Sequence, residues 1–139
     1  MKKFVMAAIA LIGMATAAQA QSPVDITIDL SEQELFIQTP EGQALWPVST
    51  GRKGYYTPHG TYKPYRITEM HYSKKYDDAP MPHSIFFKGG YAIHGTYDVR
   101  KLGRPASHGC VRLHPDDAAV LYKIVEYYGM ENTVIRIVP

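Results

Sequence analysis

Apolar and polar positions alternate with a period of two along most of the chain, the mark of strands with one buried and one wet face. Val24, Ile26, Ile28 and Leu30 interleave with Asp25, Thr27 and Asp29, which predicts a first strand. Ser31-Glu32-Gln33 turns the chain into a second strand at Glu34-Leu35-Phe36-Ile37-Gln38. Thr39-Pro40-Glu41-Gly42 places Pro and Gly where a tight turn uses them, and Gln43 to Ser49 returns antiparallel with Leu45, Trp46 and Val48. Trp46 is read as core. Residues 50–60 form a connecting loop in which Gly51 and Gly54 are expected at positive φ. Thr61 to Met70 is strand-like through Tyr62, Tyr65 and Ile67, with Pro64 marking an edge or a bulge. His71 to His83 shows no period and reads as a long loop suited to a lid.

Ser84-Ile85-Phe86-Phe87-Lys88 is a continuous apolar strand, Gly89-Gly90 its turn, and Tyr91-Ala92-Ile93 runs straight into His94. A helical period occurs once. His114-Pro115-Asp116-Asp117 opens it, Leu121, Ile124, Val125 and Tyr128 share a face, and Gly129 closes it. Thr133 to Val138 is a last alternating strand. The expected fold is mainly β: a single-domain β-sandwich or partly closed barrel with one principal helix.

Composition changes this picture at the N-terminus. Lys2 and Lys3 precede a short apolar run, and Ala18-Gln19-Ala20 fits a small-x-small cleavage site, so residues 1–20 read as a secretory signal peptide. The remaining stretch, 21–139, suits one compact domain with no membrane anchor once the signal is removed. Of 15 Lys and Arg against 13 Asp and Glu, two cations and no acid lie in the signal, leaving the mature chain without net charge. Bulk electrostatics therefore give no support for nucleic-acid binding.

The one cysteine, Cys110, has no partner for an intramolecular disulfide, and a thiol retained in an exported protein points to chemistry. A thiol needs an imidazole, a positive charge or backbone donors nearby to react as the thiolate. His94 lies sixteen positions earlier, so the two meet only if two short strands run side by side. Extended backbone from Cys110 puts Cys110 and Arg112 on one face, with Val111 and Leu113 on the other.

His94-Gly95, then Ser107-His108-Gly109-Cys110-Val111-Arg112 after an intervening loop, resembles the L,D-transpeptidase (YkuD-like) family. The similarity continues upstream through Val48-Ser49-Thr50-Gly51, Thr57-Pro58-His59-Gly60 and Ser84 to Gly90. This resemblance implies Cys110 as nucleophile and His94 as its base. Some family members carry a polar side chain directly after that histidine; Gly95 stands there here, so the acceptor for the ring's second nitrogen is expected to be the Gly95 carbonyl or the Thr96 hydroxyl. His108 and Gly109 are expected to support an oxyanion through the backbone. Arg112, Ser107 and Thr96 are expected to face substrate.

The resemblance further implies peptidoglycan stem peptides as substrates in the periplasm, with an amine of another stem or of an outer-membrane protein as acyl acceptor. It implies no cofactor and no metal. A hydrolytic relative, an L,D-carboxypeptidase or amidase with water as acceptor, would use the same residues. A zinc-binding module lacks support, since no paired Cys-x-x-Cys or His-x-x-x-His spacing is present. A non-catalytic wall-binding domain is disfavoured by the intact pairing of His94 with Cys110.

Overall fold

The computed structural model describes residues 22–139, so the expected signal segment lies outside the described residues. Nine strands form one mixed sheet: β1 (Val24–Asp29), β2 (Glu34–Thr39), β3 (Gly42–Ser49), β4 (Gly60–Tyr62), β5 (Arg66–Ser73), β6 (Ala79–Lys88), β7 (Tyr91–Gly95), β8 (Val111–Leu113) and β9 (Thr133–Val138). Their spatial order is β4-β9-β1-β2-β3-β8-β7-β6-β5. Among the described residues one α-helix, α1 (Pro115–Tyr128), lies between β8 and β9 in sequence. The fold is mainly β with one principal helix, as the alternation predicts.

The sheet curls into a half-barrel around one core. Val24, Ile26 and Ile28 from β1, Leu35 and Ile37 from β2, and Ile135 and Ile137 from β9 share a cluster with Ile85, Ile93, Val111 and Leu113 from the other wing. Chain geometry requires the curl. β4 and β5 occupy opposite edges, yet only Lys63, Pro64 and Tyr65 separate them, so the two edges lie within ~14 Å. Pro64 therefore does more than mark a bulge. It is buried and splits the expected strand into two that pair with different partners, β4 with β9 and β5 with β6. A ring nitrogen without a hydrogen cannot continue a ladder.

Two more readings change. Residues 71–83 are not a loop without regular structure: β5 and β6 pair from Arg66↔Phe86 out to Ser73↔Ala79, capped by a 3-10 turn at Lys74–Tyr76. Gly51 is not at positive φ, although Gly54 is, at +89°. Gly51 instead sits where a Cβ would come within 1.7 Å of the Tyr55 carbonyl oxygen. Trp46 is partly buried and packs on the main core, in keeping with the core reading.

Helix α1 starts where expected. Pro115 occupies its first turn, and the His114 ring accepts the Asp116 N–H through Nδ1 at 3.1 Å. Ala118, Leu121, Tyr122 and Val125 are buried, and Gly129 ends the helix at φ +96°.

Candidate active site

Two short parallel strands place the predicted pair. β7 and β8 run side by side with Ile93↔Val111, His94↔Arg112 and Gly95↔Leu113 in register. Side chains of paired residues in a parallel ladder share a face, and alternate residues along each strand return to it. His94, Arg112 and Cys110 therefore project to one side, while Ile93, Val111 and Leu113 are fully buried on the other. Cys110 and His94 are diagonal neighbours, ~7–8 Å apart along the backbone; among the described residues the thiol is hydrogen-bonded to the Gly90 carbonyl and not to the imidazole. Both line one cavity of about 820 Å³.

His94 is 6% exposed, and its Nδ1 lies 2.7 Å from the Gly95 carbonyl oxygen. A carbonyl only accepts, so Nδ1 carries the proton and Nε2 keeps a free lone pair. Burial pulls the imidazole down to about 4, opposed by the Gly95 hydrogen bond and reinforced by the charges of Arg112 and His71. Of the two expected acceptors, the Gly95 carbonyl is the one used. The Thr96 hydroxyl accepts the Asp98 N–H at 3.1 Å instead. The glycine has its own reason: a Cβ at position 95 would sit 3.1 Å from Pro82 Cγ and 3.3 Å from both Ala118 Cβ and Pro115 Cα. Helix α1 and β6 close over β7 at that point and leave no room for a polar side chain.

Cys110 donates its thiol to the Gly90 carbonyl at 3.8 Å. Burial pushes the thiol above its ordinary value, against a hydrogen bond from the Ala92 main chain and the positive charge of Arg112. With burial raising the thiol and lowering the imidazole, a preformed thiolate–imidazolium pair is disfavoured. Both shifts favour a neutral thiol beside a neutral ring.

The turn before the sulfur is held by its own side chains. Ser107 is fully buried, and its Oγ donates to the Cys110 carbonyl at 2.5 Å while accepting the Gly109 N–H at 3.0 Å. Ser107 thus clamps the turn at the edge of the cavity, its hydroxyl committed to the backbone. The Gly109 N–H is likewise engaged and is not free for an oxyanion; the N–H groups of His108 and Cys110 are the remaining candidates. Thr57, which the sequence places only in a structural loop, donates to the Gly109 carbonyl at 2.8 Å. Gly109 sits at φ +120°, and a Cβ there would meet Tyr91 Cε1 at 2.6 Å. Gly109→Ala is accordingly expected to cost ~2 kcal/mol in denaturant unfolding and to slow modification of Cys110.

Arg112 is half-buried at the cavity wall, and among the described residues its guanidinium makes no ion pair within 4.0 Å. Its neighbour Lys101 is paired with Asp98 at 3.0 Å. The β5–β6 hairpin forms the opposite wall. Its tip brings Tyr76 flat against His108, with centroids 4.0 Å apart and planes 6° apart, while Tyr55 meets the same imidazole edge-on at 5.0 Å. His108 is a packing element between two tyrosines, with burial and nearby Arg52, Arg112 and Lys75 lowering its affinity for a proton. His71 and Tyr76, within the stretch read as a lid, line the cavity together with Phe86 and Tyr91, which pattern reading assigns only to strands.

The family model for the L,D-transpeptidase catalytic domain, YkuD, matches residues 23–137, nearly all of the described chain. The chain belongs to this family. A curated relative, the probable L,D-transpeptidase ErfK/SrfK of Escherichia coli K12, is 27% identical over a match covering 70% of this chain and 39% of the relative. An L,D-transpeptidase structure from Stackebrandtia nassauensis superposes with TM-score 0.74 at 26% identity, covering 93% of this chain and 62% of that one. L,D-transpeptidase 3 of Mycobacterium tuberculosis, solved with a faropenem-derived adduct, superposes at 0.72 with 18% identity, over 84% of this chain and 60% of that one, a likeness of fold. This chain thus spans about two fifths of that curated relative and about three fifths of these structures.

Proposed function

We propose that this protein is an exported cysteine L,D-transpeptidase that acts on peptidoglycan stem peptides in the periplasm. The observation that carries this reading is the placement of His94 and Cys110 on one face of adjacent parallel strands, opening into a cavity shared with the unpaired Arg112. Family membership supports the reaction class.

In the proposed reaction, substrate closes the gap that disfavours charge separation in the resting site. The Cys110 proton passes to His94 Nε2 as the sulfur attacks the carbonyl carbon of the third stem residue. Ionisation is coupled to attack, so free thiolate need not accumulate. The Cys110 and His108 N–H groups receive the developing oxyanion. The tetrahedral intermediate collapses by breaking the bond to the terminal D-Ala nitrogen, and His94 returns the proton to that leaving amine. A thioester remains on Cys110. The amine of another stem, or of an outer-membrane protein, then attacks the thioester, loses a proton to His94 and releases the thiol. Arg112 binds a substrate carboxylate and steadies sulfur as charge develops on it. Gly95 supplies only its carbonyl, which keeps the imidazole in the tautomer that attack requires.

Purified protein incubated with tetrapeptide muropeptides tests this assignment. New bonds between two third residues, together with released D-Ala, are expected; trimmed tripeptides without cross-links would instead assign water as the acceptor.

A further inference from the structure

The turn that bears Cys110 hangs from a residue at the far end of the β1–β2 connection. Gln33 is 4% exposed and holds φ at +53°, a left-handed conformation that disfavours side chains other than glycine. Its amide is fully committed. Nε2 donates to the Leu30 carbonyl at 2.8 Å and to Thr50 Oγ1 at 2.6 Å, and Oε1 accepts the Thr50 N–H at 3.0 Å. The Thr50 N–H requires an acceptor and the Leu30 carbonyl a donor, so the amide has one permitted orientation. An ionised carboxylate cannot substitute for it.

Thr50 transmits the constraint. It is buried, and its carbonyl accepts the N–H groups of both Ala106 and Ser107 at 2.9 Å. The Ser107 hydroxyl then holds the Cys110 carbonyl and the Gly109 N–H. Gly51 and Ser107 add a parallel bridge beside this path. An amide buried at a strained position, satisfied at both donors and joined to the nucleophile turn in three steps, is costly to retain for packing alone.

We propose that Gln33 is a positioning residue for Cys110, acting through Thr50 and Ser107 to hold the sulfur against β7. This rests on the nucleophile assignment for Cys110, and the test keeps the two separable. Two rates are read on the single cysteine. Acylation by a carbapenem needs sulfur, ring and carbonyl aligned, whereas alkylation by iodoacetamide needs only an accessible thiolate. In Gln33→Ala and Thr50→Val the ratio of acylation to alkylation is expected to fall at least ~10-fold. Thr50→Ser, which keeps the hydroxyl, is expected to retain the wild-type ratio. So is Ile28→Val, a core truncation that removes none of the hydrogen bonds of Gln33, Thr50 and Ser107, despite its lower Tm.

An unchanged ratio in Gln33→Ala and Thr50→Val, or an equal fall in Ile28→Val, overturns the proposal. If Gln33→Ala does not fold, the Thr50→Val and Thr50→Ser pair decides. A wild type that alkylates but is never acylated counts against the nucleophile assignment. The pH profile of alkylation then judges Gln33: a profile displaced in Gln33→Ala and Thr50→Val but not in Ile28→Val supports it, and coincident profiles overturn it.

Discussion

Cys110→Ala is expected to reduce cross-link formation by at least ~10⁴-fold, to the level of the uncatalysed reaction. Cys110 is the only cysteine in the chain, so no second thiol can take its place. Ser107 offers no substitute either, because its hydroxyl is buried and already bonded to the Cys110 carbonyl. The fold should survive. Cys110 contributes only at the margin of a small satellite cluster with Met81, Phe86 and Ala92, apart from the main core. Muropeptide analysis of wild type and variant, matched by unfolding midpoint, checks the prediction; cross-linking retained in the variant would remove the sulfur from the reaction.

His94→Gln is expected to slow acylation ~10³-fold, since an amide of similar reach cannot take a proton from the thiol. The pH dependence carries a sharper expectation. The buried ring titrates near 4, so the base form persists far below the ordinary histidine range. The acid limb of wild-type acylation should lie near pH 4, and a limb near 6.5 would contradict the buried-base geometry. Stability follows the same linkage. The folded pKa is depressed below the unfolded value of 6.5, so the contribution is fully present above 6.5 and lost as pH falls through 4. Unfolding free energy should drop by ~3 kcal/mol over that interval in wild type, and by less in His94→Gln.

Much of this site is visible in the sequence because its constraints are local. The alternation of β1, β2 and β9 records one face buried and one wet, as their burial patterns show. The extended run from Cys110 to Leu113 similarly predicts which side chains enter the core. The outer half of the β5–β6 hairpin, residues 71–83, escaped because β5 has no fully buried residue and turns His71 and Ser73 to the cavity. Without a dry face there is no period to read. Tyr76 could not be paired with His108 for the same reason, since that stack exists only once the hairpin folds over the turn. Gly51 was legible as a special position, but crowding by the Tyr55 carbonyl, not positive φ, explains it. Gln33 gave no signal at all. Its partner Thr50 is seventeen residues away, and nothing in a turn residue announces a long-range amide clamp.

The shift of the two titrating groups away from each other has a kinetic consequence. Burial that raises the thiol and lowers the imidazole works against a standing thiolate, which is expected to slow its reaction with nonspecific electrophiles. In the proposed mechanism, reactivity is expected only when a substrate carbonyl is aligned and a carboxylate settles beside Arg112.

Intact-mass analysis with a stem tetrapeptide, followed by peptide mapping, observes the proposed acyl-enzyme itself. A single adduct equal to the substrate less D-Ala is expected, located on Cys110 and absent from Cys110→Ala. An adduct mapped to another residue, or turnover with an acyl-enzyme that forms equally in Cys110→Ala, would contradict it.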